Sequence, residues 1–502
     1  MKRILAFMCA LVFTVLLLPG FAWAEEAGQA KELSSRQLVT DTQNMSNPSP
    51  LFDGKETVSM TGKPRMSLTL ESPEGIGSVY LIFDEPYESI TFKSGDSGSE
   101  KVWNSQGFLH EFVDVQELLN EVPHALTLSF GEKAPVLNEL RVFTEGEPPA
   151  DVQRWKLAPE EGVDLLLFPT HGDDEQLFFA GMLPYYAGEL QYEVQVAYFT
   201  DHGNLGRYRR HEMLDGLWTV GVTNYPVFGS FPDTYSHTEK DAETGIELQG
   251  FHREEVLQYV VEQLRRFKPL VAVGHDLEGE YGHGAHRLYA RILTEAVEQS
   301  MDPAVFPESA KKYGVWDVPK TYLHLYPENP IHMNWDIPLD RFNGMTAFEV
   351  SRDLGFPAHA TQYNGFSHYY ADSTSAETVK QCGPCDFGLY RTTVGEDREK
   401  DDLFENLVPR KQKKQQQEQA AAEEQARQEE ADREEQRWKE AAAEAAQKEE
   451  ARQAQEQQKA VEAAAREQAQ SMTVVASAAG VILLLAVAAA VACVVILVTR
   501  KE

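Results

Sequence analysis

Residues 163–182 constrain the fold more than any other stretch. An apolar run, Val163-Asp-Leu-Leu-Leu-Phe168, passes through Pro169 and Thr170 into His171-Gly172-Asp173-Asp174-Glu175. A second apolar run, Leu177-Phe-Phe-Ala-Gly-Met182, follows. This pattern predicts a buried strand, a tight polar turn and a helix. Three adjacent carboxylates beside an imidazole repel one another and lose hydration at a buried strand end. A cation at the turn relieves both costs. His171 and Asp174, three residues apart, are placed to share one ion, with Asp173 free beside it. The competing reading is an acidic helix N-terminus with no metal.

A second cluster repeats the grammar. The amphipathic segment Arg253 to Phe267 predicts a helix, and Leu270-Val-Ala-Val-Gly274 predicts a short strand. The strand leads into His275-Asp-Leu-Glu-Gly-Glu-Tyr281-Gly-His283-Gly-Ala-His286, and Arg287 to Gln299 predicts a further helix. Open parallel α/β sheets gather their sites at the carboxyl ends of strands, so two such loops face each other there. One neutral imidazole from each loop plus one carboxylate suits zinc with a position open for water.

Taken together, Pro169-Thr-His171-Gly-Asp173-Asp174-Glu175 and Tyr281-Gly-His283-Gly-Ala-His286 resemble the PIG-L/LmbE-like zinc-dependent N-deacetylases, over residues 160–400. The resemblance implies a Rossmann-like, mostly parallel sheet. It implies Zn2+ held by His171, Asp174 and His286, and Asp173 as general base. It also implies that His283 and Tyr281 steady the oxyanion and help the leaving amine. Two departures stand out. The family has proline after the first histidine, where this chain has Gly172. The family's second motif reads His-Pro-Asp-His, where this chain has His283-Gly284-Ala285-His286. The second departure removes an acid that orients and charge-tunes a neighbouring imidazole. Asp276 and Glu280 are candidate substitutes. Arg209 and Glu212 fit a family segment that opens a helix after the second strand. Arg209 then either faces substrate or pairs with a neighbouring acid. His359 and Gln362 fall in a late family segment near the pocket.

The two ends of the chain point to the cell surface. Lys2-Arg3, the apolar Ile4 to Leu18 and Ala22-Trp-Ala24 predict a signal peptide over residues 1–24. Met472 to Val498 carries no charge, long enough at about 1.5 Å per residue to cross a bilayer core of about 30 Å. Residues 472–499 therefore predict a transmembrane helix. Arg500-Lys501 follow it, which orients the bulk of the chain outside. Before it, Lys411 to Gln470 is built almost wholly of Ala, Glu, Gln, Lys and Arg. We read residues 401–470 as a helical stalk or weak coiled coil, through which chains self-associate. A disordered charged linker is the alternative.

Residues 47–150 predict an all-β sandwich or jelly roll, after a linker over residues 25–46. Short alternating runs such as Arg65-Met-Ser-Leu-Thr-Leu-Glu71 and His124-Ala-Leu-Thr-Leu-Ser-Phe130 are separated by Gly, Pro, Asp and Ser. With Leu51-Phe-Asp-Gly54 near its start, the module resembles galactose-binding-like domains. That implies carbohydrate binding, with Trp103 and Tyr87 as stacking candidates; a purely structural role stands beside it. The catalytic domain is expected over residues 158–400.

A formal charge of −33 over 502 residues excludes a nucleic-acid partner, which needs basic patches. Two cysteines lie outside the end segments, Cys382 and Cys385, and outside the cytoplasm a small-loop disulfide is expected between them. The expected whole is a surface-anchored zinc hydrolase that removes acetyl groups from N-acetylglucosamine-type sugars. The rival is a glycan-binding surface protein whose enzyme domain is inactive.

Overall fold

The computed structural model describes residues 28–370 and 372–499. The expected signal peptide lies outside the described residues. The chain divides into two compact units, one ending at Lys413 and one beginning at Lys414.

The first half alternates inward and outward side chains. It builds β1 (Val39–Gln43), β2 (Met60–Thr61), β3 (Ser67–Glu71), β4 (Ser78–Phe83), β5 (Ser89–Ser94), β6 (Glu100–Asn104), β7 (His110–Asp114), β8 (Ala125–Phe130) and β9 (Val136–Phe143). These form two sheets, in the orders β1-β3-β8-β5-β6 and β2-β9-β4-β7. Leu68, Leu70, Leu126 and Leu128 point into the core between them. Strand β4 is buried along its whole length. Val79, Leu81 and Phe83 face the sandwich core, while Tyr80 and Ile82 belong to a separate apolar cluster on the other face. Tyr87 is buried and donates its hydroxyl to Lys133 O at 2.9 Å. Trp103 packs edge-on against Phe92. Both ring systems are therefore spent on packing.

The expected linker over residues 25–46 is corrected. Val39–Gln43 pairs antiparallel with β3, and Ala30 N–H donates to Glu147 O. As an edge strand it buries one residue of its five, so it has no apolar signature to read.

The second half is α/β. Its strands are β10 (Leu165–Leu167), β11 (Val194–Val196), β12 (Thr200–Asp201), β13 (Phe231–Pro232), β14 (Val271–Gly274), β15 (Lys320–His324), β16 (Pro330–His332) and β17 (Asp386–Thr392). The main sheet runs β11-β10-β14-β15-β17-β16. Its first four strands are parallel, and β17 runs antiparallel between β15 and β16. Strands β10 and β14 are buried throughout, as layers on both faces require. Leu166 and Ala272 meet the helices Arg253–Phe267 and Gly284–Gln299 on one side. Leu165, Leu167, Val271 and Val273 meet Phe179, Trp335 and Phe348 on the other.

Phe108 and Leu109 of the sandwich join that second cluster, and Phe108 stacks on Tyr225 at 4.3 Å. A polar relay crosses the same seam. Asn138 Nδ2 donates to His211 Nε2 at 3.2 Å. His211 Nδ1 and His110 Nε2 are 2.8 Å apart, and His110 Nδ1 lies 2.6 Å from Tyr80 Oη. The Asn138 amide also donates to Glu56 O, which fixes its orientation. The relay therefore runs one way, Asn138 to His211 to His110 to Tyr80. Burial lowers His211 to about 4 and holds His110 well below its usual range, so both rings are neutral.

The α/β domain also extends past its expected end. Leu403 and Phe404 are buried in its core, and Lys320 Nζ bonds to Asp397 and to Glu405 O. Residues 401–409 therefore belong to the domain and not to the stalk. A single helix, Arg410–Thr499, follows without interruption. Pairs such as Glu435–Lys439 and Glu444–Lys448 decorate it at i,i+4 spacing. Its last part is long and apolar enough to cross a membrane.

Candidate metal centre and active site

Strand β10 has β11 on one side and β14 on the other, so the loops leaving β10 and β14 open a crevice at a topological switch point. The first loop delivers His171, Asp173 and Asp174. The second delivers His275, Glu280, Tyr281, His283 and His286. Three donor atoms converge there. His171 Nδ1 lies 3.3 Å from Asp174 Oδ2, His286 Nε2 lies 3.5 Å from the same oxygen, and the two nitrogens are 3.2 Å apart. Ligands about 2.0–2.2 Å from a tetrahedral ion stand about 3.3–3.6 Å from each other. The trio matches that spacing, and all three residues are buried. Nitrogens of His171, His283 and His286 also come within 4.8 Å of one another, as do ligand atoms of Asp174, His275 and His286. His275 is already committed, because its Nε2 accepts the Thr170 N–H at 3.0 Å.

Glu280 is fully buried and sits behind the trio. Its Oε2 lies 2.7 Å from His286 Nδ1 and 2.8 Å from His275 Nδ1. Its Oε1 lies 2.7 Å from His324 Nδ1 and accepts the Asp276 N–H at 3.2 Å. Four donors thus meet the four lone pairs of one carboxylate. On the other flank Asp233 Oδ1 lies 3.2 Å from His171 Nε2.

Asp173 is buried beside the trio without joining it. Burial lifts its carboxyl to about 6, against the pull of Arg209. His283 Nδ1 accepts the Ala285 N–H at 3.2 Å, which leaves the ring proton on Nε2. Burial, then His286 and His171, lower His283 to about 3, so it is a neutral donor. Tyr281 adopts φ 45° and ψ 23°, a left-handed backbone uncommon for a bulky side chain. Burial raises its phenol, so the O–H stays protonated. A cavity of 300 Å³ opens over these groups, walled by Phe178, Tyr235, Tyr281, Phe366 and Tyr369. A larger hollow beside Trp218 and Phe342 shares none of these residues.

Arg209 borders the cavity and is 4% exposed. It donates to Gly172 O at 2.7 Å, lies 3.5 Å from Asp173 Oδ1 and 3.6 Å from Glu212 Oε2. The pairing with neighbouring acids is thus observed, and the guanidinium holds the first loop at the cavity edge. One expectation is corrected here. Cys382 and Cys385 are free thiols, not a disulfide. Cys382, at φ 52°, turns its sulfur to accept the Tyr281 N–H at 3.3 Å, whereas Cys385 packs into the apolar core. Burial raises both thiols, Cys385 to about 12.

Of the late residues, Gln362 lines the cavity, and His359 pairs with Glu175 at 2.7 Å in the core. The stretch Tyr225 to Gly250, which its aromatic, polar and glycine residues mark as a pocket-edge loop, does supply Asp233 and Tyr235 to the cavity. Sequence reasoning did not single out these two residues or Tyr369, because no motif marks them.

Residues 166–297 match the family model for GlcNAc-PI de-N-acetylase, PIG-L. The chain carries a PIG-L domain. A 1D-myo-inositol 2-acetamido-2-deoxy-alpha-D-glucopyranoside deacetylase of Streptomyces avermitilis is 26% identical over 294 residues, which is 49% of this chain and 97% of that protein. The PIG-L domain is also similar to the solved N,N'-diacetylchitobiose deacetylase of Pyrococcus horikoshii. There the TM-score is 0.30 and identity 16%, covering 46% of this chain and 84% of that one. A third similarity is to the family 32 CBM of C. perfringens NanJ, solved with galactose. Its TM-score is 0.20 and identity 10%, covering 23% of this chain and 98% of that one.

Proposed function

We propose that this chain is a zinc-dependent N-deacetylase that removes acetyl groups from N-acetylglucosamine-type sugars at the cell surface. The observation that carries this is the trio His171 Nδ1, Asp174 Oδ2 and His286 Nε2, spaced as ligands of one tetrahedral ion. The PIG-L domain and its deacetylase relatives support the hydrolase. Two imidazoles and one carboxylate, with one side open to a cavity, are the donor set of a hydrolytic zinc site.

Zinc held by His171, Asp174 and His286 would supply the acidification of a water and the polarisation of the acetyl carbonyl. Asp173, free of the trio, accepts the proton of the attacking water. Arg209 and the Gly172 carbonyl it holds keep the first loop in register with that water. Tyr281 O–H and the neutral His283 Nε2–H donate to the oxygen on which charge develops. The proton taken by Asp173 is then available to the departing amine, which leaves acetate and a free amino sugar. A cavity of 300 Å³ with aromatic walls supports a single sugar ring seated beside these groups. The apolar end of Arg410–Thr499 supports a membrane anchor, and Arg500-Lys501 after it support a catalytic unit outside.

The test is acetate release from N-acetylglucosamine oligomers by the full-length chain in detergent. Chelation should abolish release and zinc should restore it. Asp173→Asn should keep its zinc and lose about 10²- to 10⁴-fold in kcat. A zinc-loaded chain that binds these oligomers and releases no acetate would leave only the glycan-binding reading.

A further inference from the structure

Each imidazole of the trio has a second nitrogen, and each of those faces a carboxylate from outside the trio. His286 Nδ1 lies 2.7 Å from Glu280 Oε2, and His171 Nε2 lies 3.2 Å from Asp233 Oδ1. A neutral imidazole carries one proton, and the carboxylate decides which nitrogen keeps it. Here both protons are drawn outward. The lone pairs of His171 Nδ1 and His286 Nε2 are left facing Asp174.

We propose that Glu280 and Asp233 are positioning residues for the metal centre and supply the orienting acid that Ala285 cannot. This rests on the reading of His171, Asp174 and His286 as ligands. Ala285 is buried in the apolar layer behind the sheet, so no acid at that position serves this chain. Glu280 is held in place by more than its bond to His286. His275, His324 and the Asp276 N–H use its remaining lone pairs, so the carboxylate cannot turn away. His324 Nε2 lies 2.9 Å from Gly383 O, which ties the hub to the end of β15 and to the Cys382–Cys385 loop.

Asp233 reaches His171 for a different reason. The segment that carries it lies against Gly284, whose N–H donates to Ser236 O at 2.7 Å. A β-carbon at 284 would collide with Ser236 and Thr238. A proline there would also have no N–H to give. Gly284 thus admits the segment that brings Asp233 over the site. Asp233 is also the nearest acid to His202, at 3.7 Å, and His202 Nε2 accepts the Gly172 N–H at 3.2 Å. One carboxylate so steadies both the ligand ring and the turn beneath it.

The test is zinc affinity of the full-length chain in detergent, measured by competition with a chelator of known affinity. Replacing an acid that orients a metal-bound histidine weakens binding roughly 10- to 100-fold. Glu280→Gln and Asp233→Asn are each expected to fall in that range, and to shift the visible absorption of the cobalt-substituted chain. Asp233 is 42% exposed at its side chain, so Asp233→Asn keeps its fold even if Glu280→Gln does not. Wild-type affinity and an unshifted cobalt spectrum in folded Asp233→Asn overturn the proposal while the ligand reading stands. A wild-type chain that binds no zinc overturns the ligand reading itself.

Discussion

His110 and His211, at the seam between the sandwich and the α/β domain, stand 2.8 Å apart nitrogen to nitrogen. His171 and His286, at the switch point of the sheet, stand 3.2 Å apart. Both pairs are buried, and both have a carboxylate nearby; Glu56 with His110 and His211 even has the composition of a metal site. The protons separate them. At the seam each ring passes its proton to the next, from Asn138 through to Tyr80, and no nitrogen lone pair is left over. At the switch point Glu280 and Asp233 draw the protons outward, and two lone pairs converge on one carboxylate oxygen. Composition is the same in both places. What lies behind each ring decides whether it locks two domains or turns a free nitrogen toward a shared carboxylate.

The largest effect should come from the switch point. His286→Ala removes one of three donors, so zinc content should fall from about one ion per chain to background, and acetate release with it. Elemental analysis after gel filtration reads this directly. Retained zinc would mean that His283 or His275 is a ligand in its place.

The seam should answer in stability instead. His211→Leu leaves one N–H of the Asn138 amide and His110 Nε2 without partners in a buried site, while the other N–H keeps Glu56 O. Each such orphan costs about 1–3 kcal/mol. Thermal unfolding should shift downward by several degrees while zinc content and the cobalt spectrum stay unchanged. Loss of bound metal would show that the seam holds an ion after all.

The smallest effect is a slope with pH. Asp215 and Glu56 meet at the seam; burial raises both carboxyls, and the charge of Glu56 adds to the rise at Asp215, while the hydrogen bond from Asp215 opposes it at Glu56. In the unfolded chain such groups ionise near pH 4. The folded seam therefore holds a proton that the unfolded chain has released. That contribution is complete below about pH 4 and is lost as pH rises through the raised folded range. Asp215→Asn keeps a partner for Gln153, which now donates to Asp215 Oδ1. The variant should gain stability relative to wild type as pH increases. Parallel melting curves from pH 4 to 8 would refute the shared proton.

The convergence of His171, Asp174 and His286 was legible because two local patterns carry it, His171-Gly-Asp-Asp174 after one strand and His283-Gly-Ala-His286 after another. Their meeting follows from a parallel sheet, where carboxyl ends line up. Asp233 had no such mark. It is an isolated acid in Phe231-Pro-Asp-Thr-Tyr235, and only tertiary packing brings it to His171. Arg209 stood in a family-like segment that left substrate contact and acid pairing both open, and only the fold shows it bonded to the protein's own carbonyl and carboxylates. Cys382-Gly-Pro-Cys385 suggested a bridge because an oxidising compartment was expected around two closely spaced cysteines. The left-handed turn at Cys382 sends its sulfur to a backbone amide and not to Cys385. Val39–Gln43 and residues 401–409 were misread for one shared reason. Edge strands and domain borders bury few side chains, so polarity there says little about whether a segment is folded.

The two glycines that stand where the family has proline give the chain a hereditary signature. At Gly172 an added β-carbon would strike Met213, and at Gly284 it would strike the Ser236–Thr238 segment. The flexible Met213 side chain can give way, but at 284 the Thr238 backbone carbonyl cannot unless the whole segment moves. Proline at 284 would push that segment, and Asp233 with it, outward, and the second nitrogen of His171 would need another acid. Sequences sharing Gly284 should therefore also share an acid at 233 and a glutamate at 280, inherited as one set.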